Sequence, residues 1–390
     1  MSFMKTVLVD SNWKKLLPLT FTRPVSHVRC GILKIHEKWD KYLNCTSVSV
    51  SEPHLNKKFF QDFQDAALIL NSKFLPSADY LEAISTLENG EILVVDEGWM
   101  AIKSDEGFKK ESWEGLKSKK FKGSVTSINN WWELFKVNLQ EIENDFRLIT
   151  EKRTSKALSK SNTLIGPSDK VFIENGAYVE GCTLNSNDGP IYIGEDVEVM
   201  EGTLIRGAFS VLNGSKIKLG AKIYGPTSVG PKCRIGGEVK NSIIQGYSNK
   251  SHDGYLGNSV VGEWVNLGAD TNCSNLKNTF TRAKVWDYEI GEFEDSGEVF
   301  IGACFGDYSK TGINTMINTG TVIGVNANVF GEGFPSKYIP SFSWGEDEIY
   351  EFNKAWDVNM NIAKMNGERL TKVDKVILKS IKDSPPVISE

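Results

Sequence analysis

Residues 191–217 read I-Y-I-G-E-D-V-E-V-M-E-G-T-L-I-R-G-A-F-S-V-L-N-G-S-K-I, and their periodicity decides the fold. Ile193, Val199, Ile205, Val211 and Ile217 stand six apart, and the register returns at Phe305, Thr311, Ile317, Ile323 and Val329. Glycine often follows the apolar residue, as in Ile193-Gly194, Val229-Gly230, Ile235-Gly236, Val261-Gly262, Leu267-Gly268, Ile301-Gly302 and Ile323-Gly324. A six-residue period suits neither a helix of about 3.6 residues per turn nor the two-residue alternation of a hairpin. It suits a triangular coil in which each side is a short strand with one inward apolar residue and a small residue turns the corner. Three hexapeptides close one coil, which stacks in parallel on the next. The pattern predicts a left-handed parallel β-helix, an exception to the right-handed rule for crossovers. A β-sandwich with glycine turns would not keep so many repeats in one register.

Glycine marks where the coil begins and ends. Of 35 glycines, 27 lie between Gly166 and Gly333 and only six precede residue 151, so the β-helix domain is assigned to 163–340. The repeats are interrupted at Gly246–Asn258 and at Cys273–Val299, and both segments are expected to protrude as functional loops. Residues 1–128 predict an α/β domain. Its buried strands fall at Thr6–Val9, Ala66–Leu70 and Glu91–Val95, and its amphipathic helices around Ile35–Leu43 and Ala78–Leu87. Residues 129–162 hold a connecting helix from Asn130 to Ile149 and a polar linker, Glu151–Asn162. Trp131 and Trp132 on that helix read as interdomain packing. Residues 341–390 predict two short helices, over 346–365 and 371–382, that cap the coil or pack on a neighbouring subunit.

A chain of 390 residues, 24% charged and 40% hydrophobic, describes a soluble protein of several domains, which excludes wholesale disorder and collagen-like structure. A net charge of -5 excludes a general nucleic-acid binder while leaving room for a local phosphate site. The six cysteines lack paired spacing, which favours a reducing compartment over a disulfide framework or zinc module. No signal peptide and no apolar run of about 20 residues is evident, so a cytoplasmic protein without membrane attachment is expected.

The segment S-N-K-S-H-D-G-Y-L-G-N-S-V-V-G-E-W-V-N-L-G-A-D-T-N-C-S-N (Ser248–Asn275) resembles the acetyltransferase half of the bifunctional family that makes UDP-N-acetylglucosamine. The spacing matches without gaps from Lys240 through His252, Tyr255, Asn266 and Ala269 to Asn275. Ile301–Thr315, I-G-A-C-F-G-D-Y-S-K-T-G-I-N-T, is more similar to the archaeal branch and a related bacterial set. The resemblance implies that His252 is the general base for a sugar amine, a role suited to a side chain that ordinarily titrates near neutrality. It implies a phosphate contact from Lys240 and sugar contacts from Tyr255, Asn266 and Asn275. Where the family has a further sugar-contacting lysine this chain has Thr281, with Arg282 and Lys284 as candidate replacements. Acetyl-CoA is the implied cosubstrate, held at Ala269, Ile313 and Gly331 mostly by backbone groups, with Lys310 adding a phosphate contact. The family's coil acts as a trimer with sites between subunits, so a homotrimer is implied. Taken as bare residues, a loop histidine is often solvated, asparagines in solenoids form structural ladders, and a lone lysine is surface.

L-L-P-L-T-F-T-R-P (Leu16–Pro24) is similar to the R-P-L-T-x-T-R-P motif of sugar-1-phosphate nucleotidyltransferases. Sliding back without gaps, V-D-S-N-W-K-K (Val9–Lys15) stands where that family has A-A-G-x-G-T-R. Ser11 and Trp13 replace the phosphate-cradling glycines, while Lys14 and Lys15 could still meet phosphate. In L-I-L-N-S-K-F (Leu68–Phe74), Ser72-Lys73 replaces the Gly-Asp pair that holds Mg²⁺. Mg²⁺ is therefore expected only if nucleotidyl transfer is retained, and no metal ligand set is assigned. Arg23 and Arg29 flank a Pro-Val-Ser-His turn and are candidates for phosphate binding or for pairing with carboxylates.

The leading expectation is a hexapeptide-repeat N-acetyltransferase acting on an amino-sugar 1-phosphate such as glucosamine-1-phosphate, in UDP-N-acetylglucosamine synthesis. Sugar-1-phosphate nucleotidyl transfer from UTP is a second activity for the N-terminal domain. The alternative is a non-catalytic sugar-nucleotide-binding regulatory or scaffold protein.

Overall fold

The computed structural model of the chain describes residues 5–60, 67–105, 113 and 115–383. The N-terminal domain is built on one mixed sheet. Its elements in chain order are β1 (Lys5–Val9), α1 (Ile35–Leu43), β2 (Val48–Val50), α2 (Pro53–Phe59), β3 (Ala67–Asn71), α3 (Ala78–Ser85), β4 (Glu91–Val95), β5 (Gly98–Ser104) and β6 (Lys117–Lys120). The strand order is β2-β1-β3-β5-β4-β6. β1 runs parallel to both β2 and β3, while β5 is antiparallel to its neighbours. The centre of the sheet is covered on both faces, which is why β1 and β3 are nearly continuous apolar runs. Val7, Val9, Ala67 and Ile69 face one small core, while Leu8, Leu68 and Leu70 face the main one.

The second half is a three-sided parallel β-solenoid. Its first face carries eight strands, from Thr163–Ile165 to Met316–Ile317, and its second carries nine, from Val171–Ile173 to Tyr338–Ile339. The third face begins at Tyr178–Val179 and reaches Asn249–Lys250. Asn266 then bridges Asn249 to Lys310, and the ladder continues through Asn328–Val329. The six-residue register is the inward register: Ile193, Val211 and Val229 pair in one column and are fully buried.

One expected interruption is part of the coil. Within Gly246–Asn258, Asn249–Lys250 and Tyr255–Gly257 pair in parallel with Arg234–Ile235 and Glu238–Lys240 below. Ile217 pairs with Ile235 but Ile235 pairs with Lys250, so this coil closes with three fewer residues and breaks the period without leaving the stack. The second interruption does leave it, as a hairpin of Lys284–Asp287 with Glu292–Asp295. This hairpin packs onto the N-terminal domain. Lys15 Nζ lies 2.6 Å from Asp287, Tyr288 meets Phe21 edge-on at 5.4 Å, and Trp286 stacks on Tyr338 at 4.1 Å.

Helix α4 (Glu133–Thr150) lies along the second face. Ile142 and Phe146 pack with Phe172, Tyr192 and Ala208. Asn138 joins three parts: its Oδ1 accepts from Gly31 N and Ser228 Oγ, and its Nδ2 donates to Pro226 O. Trp131 is buried in the main core and Trp132 packs against it. The corner between the second and third faces requires a left-handed backbone. It is taken by Gly214 and then by Lys232, Tyr247, Trp264, Tyr308, Asn326 and Phe342, all at positive φ.

After the coil, Ser343–Trp344 and Glu348–Ile349 pair antiparallel, so the first terminal helix, α5, runs only over Phe352–Met365. Glu351 caps it by accepting from the N–H groups of Asn353 and Lys354. Helix α6 (Lys372–Asp383) returns against the N-terminal domain, with Lys58 Nζ 2.7 Å from Asp374. Among the described residues no helix is long and apolar enough to cross a membrane.

Candidate functional site

The corner between the third and first faces gathers most residues expected to handle acetyl-CoA. Asp270 N donates to Asp253 O at 3.0 Å and Asn314 N to Ala269 O at 2.8 Å. His252, Ala269 and Ile313 therefore stack along one edge on successive coils. Gly331 follows Asn328–Val329 at the same edge, one coil further on. Gly254 makes this corner tight. Its φ is +119°, and a Cβ there would collide with Thr271 O.

The His252 side chain is exposed, and among the described residues its ring makes no hydrogen bond. Its carbonyl is held from inside the coil. Lys250, 4% exposed, occupies an inward position directly above Ile235. Lys250 Nζ donates to His252 O at 2.8 Å and to Gly236 O at 3.0 Å. Burial pushes this ammonium down to about 8, with Asp253 and Asp270 pulling the other way.

Tyr255 lies on the first face beside this edge, opposite Glu238 of the neighbouring strand, and Lys240 lies two residues further along that strand, opposite Gly257. Lys240 Nζ sits 5.7 Å above the Tyr224 ring, whose hydroxyl donates to Glu238 at 2.6 Å. Burial, reinforced by Glu238, pushes the Tyr255 hydroxyl up to about 12, so it stays a donor. Asn272 Oδ1 accepts from Tyr255 N, and Asn275 Nδ2 donates to Asn258 Oδ1 at 2.7 Å. Asn266 lies on the other side of the edge, on the third face, where its Oδ1 accepts from Asn249 Nδ2 at 2.7 Å. That bond is a single Asn–Asn rung, with Arg234 and Lys310 at the positions on either side. Lys310, also on the third face, donates to Tyr308 O, and burial pushes it down to about 8. Thr281, Arg282 and Lys284 are exposed on the insertion that the chain enters after leaving the first face at Asn275.

In an open sheet of this kind, ligands bind beyond the carboxyl ends of the parallel strands. At the ends of β1 and β3, Ser11 Oγ donates to Asn71 Oδ1, Asn71 Nδ2 to Trp99 O, and Lys73 Nζ to Glu97 O at 3.0 Å. Asp10 is the one carboxylate directly following these strands. Its Oδ2 accepts from Val25 N and Ser51 Oγ, its Oδ1 is buried without a partner, and burial raises it to about 6. One half-committed carboxylate does not fit a resident Mg²⁺. Among the described residues no cluster of three His, Cys, Asp or Glu could hold a metal.

The N-terminal cations turn toward the coil. Lys15 pairs with Asp287, and Arg23 is buried against Asp307 with Glu263 at 3.4 Å. The Arg29 guanidinium donates to Gln245 O and Ile32 O, while its backbone N–H donates to the Gln245 amide oxygen. Lys14 alone of the four is exposed. The sequence reading missed Asp10, Lys250, Gln245, Glu263 and Asp307. Asp10, a carboxylate closing a buried apolar run, and Lys250, a cation in an inward register position, carried a usable signal.

Residues 6–154 match the model of the family described as sugar nucleotidyl transferase. The chain thus joins a segment that matches this family model to a parallel β-solenoid, and it is similar to bifunctional nucleotidyltransferase–acetyltransferases. It is 29% identical over 253 residues to the bifunctional sugar-1-phosphate nucleotidylyltransferase/acetyltransferase of Sulfurisphaera tokodaii, covering 64% of this chain and 54% of that protein. It is 25% identical over 240 residues to the bifunctional protein GlmU of Synechococcus elongatus, covering 56% of this chain and 48% of the relative. A GlmU from another Synechococcus is 30% identical over 175 residues, covering 44% and 34%. The chain thus spans about half the length of the curated relatives it matches most extensively.

Proposed function

We propose that this protein transfers an acetyl group from acetyl-CoA to the amine of an amino-sugar 1-phosphate, glucosamine-1-phosphate by preference, on the way to UDP-N-acetylglucosamine. The observation that carries the reading is the exposed His252 ring at a glycine-tightened corner, in line with Ala269 and Ile313 and next to the first-face strand that begins at Tyr255. The imidazole takes a proton from the attacking amine as the C–N bond forms at the thioester carbonyl. Collapse of the tetrahedral intermediate then breaks the C–S bond and releases coenzyme A as the thiol. Lys240 and the Tyr255 hydroxyl supply donors for the phosphate and sugar, with Asn275 and Asn266 flanking them. Arg282 or Lys284 stands in for the cation missing at Thr281, and Lys310 reaches the coenzyme's phosphates only on leaving Tyr308 O.

A single coil presents this edge open. Ile165, Leu204, Met316 and Ile313 expose apolar surface along the first face and its edge, which supports a homotrimer whose neighbouring coil closes each site. A reducing, cytoplasmic setting suits its unpaired cysteines.

The match of residues 6–154 supports a second activity, nucleotidyl transfer from UTP to N-acetylglucosamine-1-phosphate. One assay matrix tests both readings, with acetyl-CoA and UTP each offered glucosamine-1-phosphate and N-acetylglucosamine-1-phosphate. Thiol release is expected with the free amine only, falling about 10²-fold or more in His252→Ala. Equal rates in wild type and His252→Ala would remove the proposed base. Pyrophosphate release from UTP with Mg²⁺ reports the second activity. Saturable binding of sugar nucleotide without either product identifies a regulatory protein.

A further inference from the structure

At the corner opposite the His252 edge, the N-terminal domain, the coil and helix α6 meet around a cavity of about 390 Å³. Arg23 forms its floor. The residue is 4% exposed, and its Nη2 is committed to Asp307 and Glu263, but its Nη1 is buried with no partner. A guanidinium N–H left unpaired in a buried site is costly unless something else accepts from it. Lys34 stands 3.8 Å from Glu263, too far for a hydrogen bond, in surroundings where burial and the nearby Arg29 and Arg23 disfavour its charge. Arg369, at the mouth, is exposed and makes no ion pair among the described residues.

The carboxylates lining the cavity are already used. Asp307 is paired with Arg23 and accepts from Thr22 Oγ1, Asp374 is bound by Lys58, and Glu368 lies 2.6 Å from Lys232 outside the cavity. Glu263 is shared between Arg23 and Lys34. Three cations from three parts of the chain therefore converge with donors to spare.

The coil wall adds a second observation. Tyr247, Trp264 and Tyr308 occupy the left-handed corner position on three successive coils, at φ of 54°, 65° and 61°. That backbone is the corner conformation of the coil, shared with Lys232 and Phe342, and here it sets three aromatic side chains in one column. The rings are stacked, Tyr247 on Trp264 at 4.2 Å and Trp264 on Tyr308 at 6.1 Å, both nearly parallel. A cavity lined by every ring of such a pile meets ring edges, whose partial positive charge suits an anion.

We infer that this junction binds a small phosphate-bearing metabolite, whose dianion is shared by Arg23, Lys34 and Arg369 and whose body lies along the Tyr247–Trp264–Tyr308 edges. Bound there, the ligand ties the N-terminal domain, the coil and α6 together. The site stands apart from the edge that carries His252 and does not depend on the acetyl-transfer reading.

Calorimetric titration of the full chain with inorganic phosphate, glucose 1-phosphate, uridine monophosphate and succinate tests this. Saturable binding of the phosphate compounds is expected, their order showing whether a sugar or a nucleoside forms the body. Arg369→Ala and Lys34→Met should each weaken binding about tenfold. Arg369→Ala, at an exposed and unpaired position, should leave the ligand-free Tm unchanged, and His252→Ala should bind like wild type. The inference is overturned if no phosphate compound binds, if succinate binds as tightly as phosphate, if both cation variants bind like wild type, or if His252→Ala abolishes binding.

Discussion

Lys250 offers a sharp test of the coil as described, because an ammonium occupies a column that is aliphatic apart from Thr311. A lysine held at about 8 instead of its ordinary 10.5 has its charged form disfavoured in the fold by about 3 kcal/mol. The unfolded chain binds this proton up to pH 10.5, whereas the folded chain releases it near pH 8. Unfolded protein thus carries more protons across that window, so stability must rise with pH there, by about 1.4 kcal/mol per pH unit at most. In Lys250→Met the aliphatic stem is kept and the titration is removed. At pH 7 the variant sheds the cost of the buried charge but leaves the Gly236 and His252 carbonyls without their donor, at about 1–3 kcal/mol each. The two effects nearly cancel. By pH 10.5 only the loss remains, so wild type should have gained about 3 kcal/mol on the variant. Lys310 titrates near the same pH in both proteins and drops out of the difference. Urea unfolding of both proteins at pH 7, 8, 9 and 10 measures it. If the two stabilities run parallel over that range, Lys250 does not carry its charge inside the coil.

Two shorter predictions follow from the same packing. Arg23→Met leaves Asp307 and Glu263 buried together without their shared cation and should cost about 3–5 kcal/mol, read as a lower urea midpoint at unchanged slope. Gly254→Ala forces a Cβ against Thr271 O at a φ of +119° and should cost about 1–3 kcal/mol, with acetyl transfer falling further than stability explains because the His252 corner moves.

The coil was legible because each hexapeptide must place one apolar side chain inward, and Ile193, Val211 and Val229 do so in a single buried column. The reading faltered at Gly246–Asn258 for two local reasons: the coil there is short, and its inward residue is Lys250. The hairpin at Lys284–Asp287 was hidden for another reason. Its second strand, Glu292–Asp295, is exposed along its length and has no apolar alternation to betray it. What fixes the hairpin is Phe21 against Tyr288 and Lys15 against Asp287, contacts between residues far apart in the chain. The residues of the candidate edge were expected only through the family resemblance of their motif. The position of Asn266 on the opposite face from Tyr255 was not legible, since one motif turns the corner between them.

The same distinction bears on the N-terminal domain. From sequence, Lys15, Arg23 and Arg29 were equally good as phosphate contacts or as partners for carboxylates. In the fold, Lys15 and Arg23 are held by coil carboxylates and Arg29 by the Gln245 backbone. Ser11 and Trp13 meanwhile stand where phosphate-cradling glycines would allow close backbone approach. A triphosphate at the ends of β1 and β3 would have to draw Lys15 or Arg23 away from Asp287 or Asp307, leaving a carboxylate without its cation each time. Nucleotide binding there and docking onto the coil therefore compete for the same side chains. The competition has a measurable sign: if UTP binds through these cations, it must lower the stability of the domain junction. A phosphate compound seated in the cavity over Arg23 takes from that residue only the unspent Nη1, leaves the Asp307 pair intact, and must raise it.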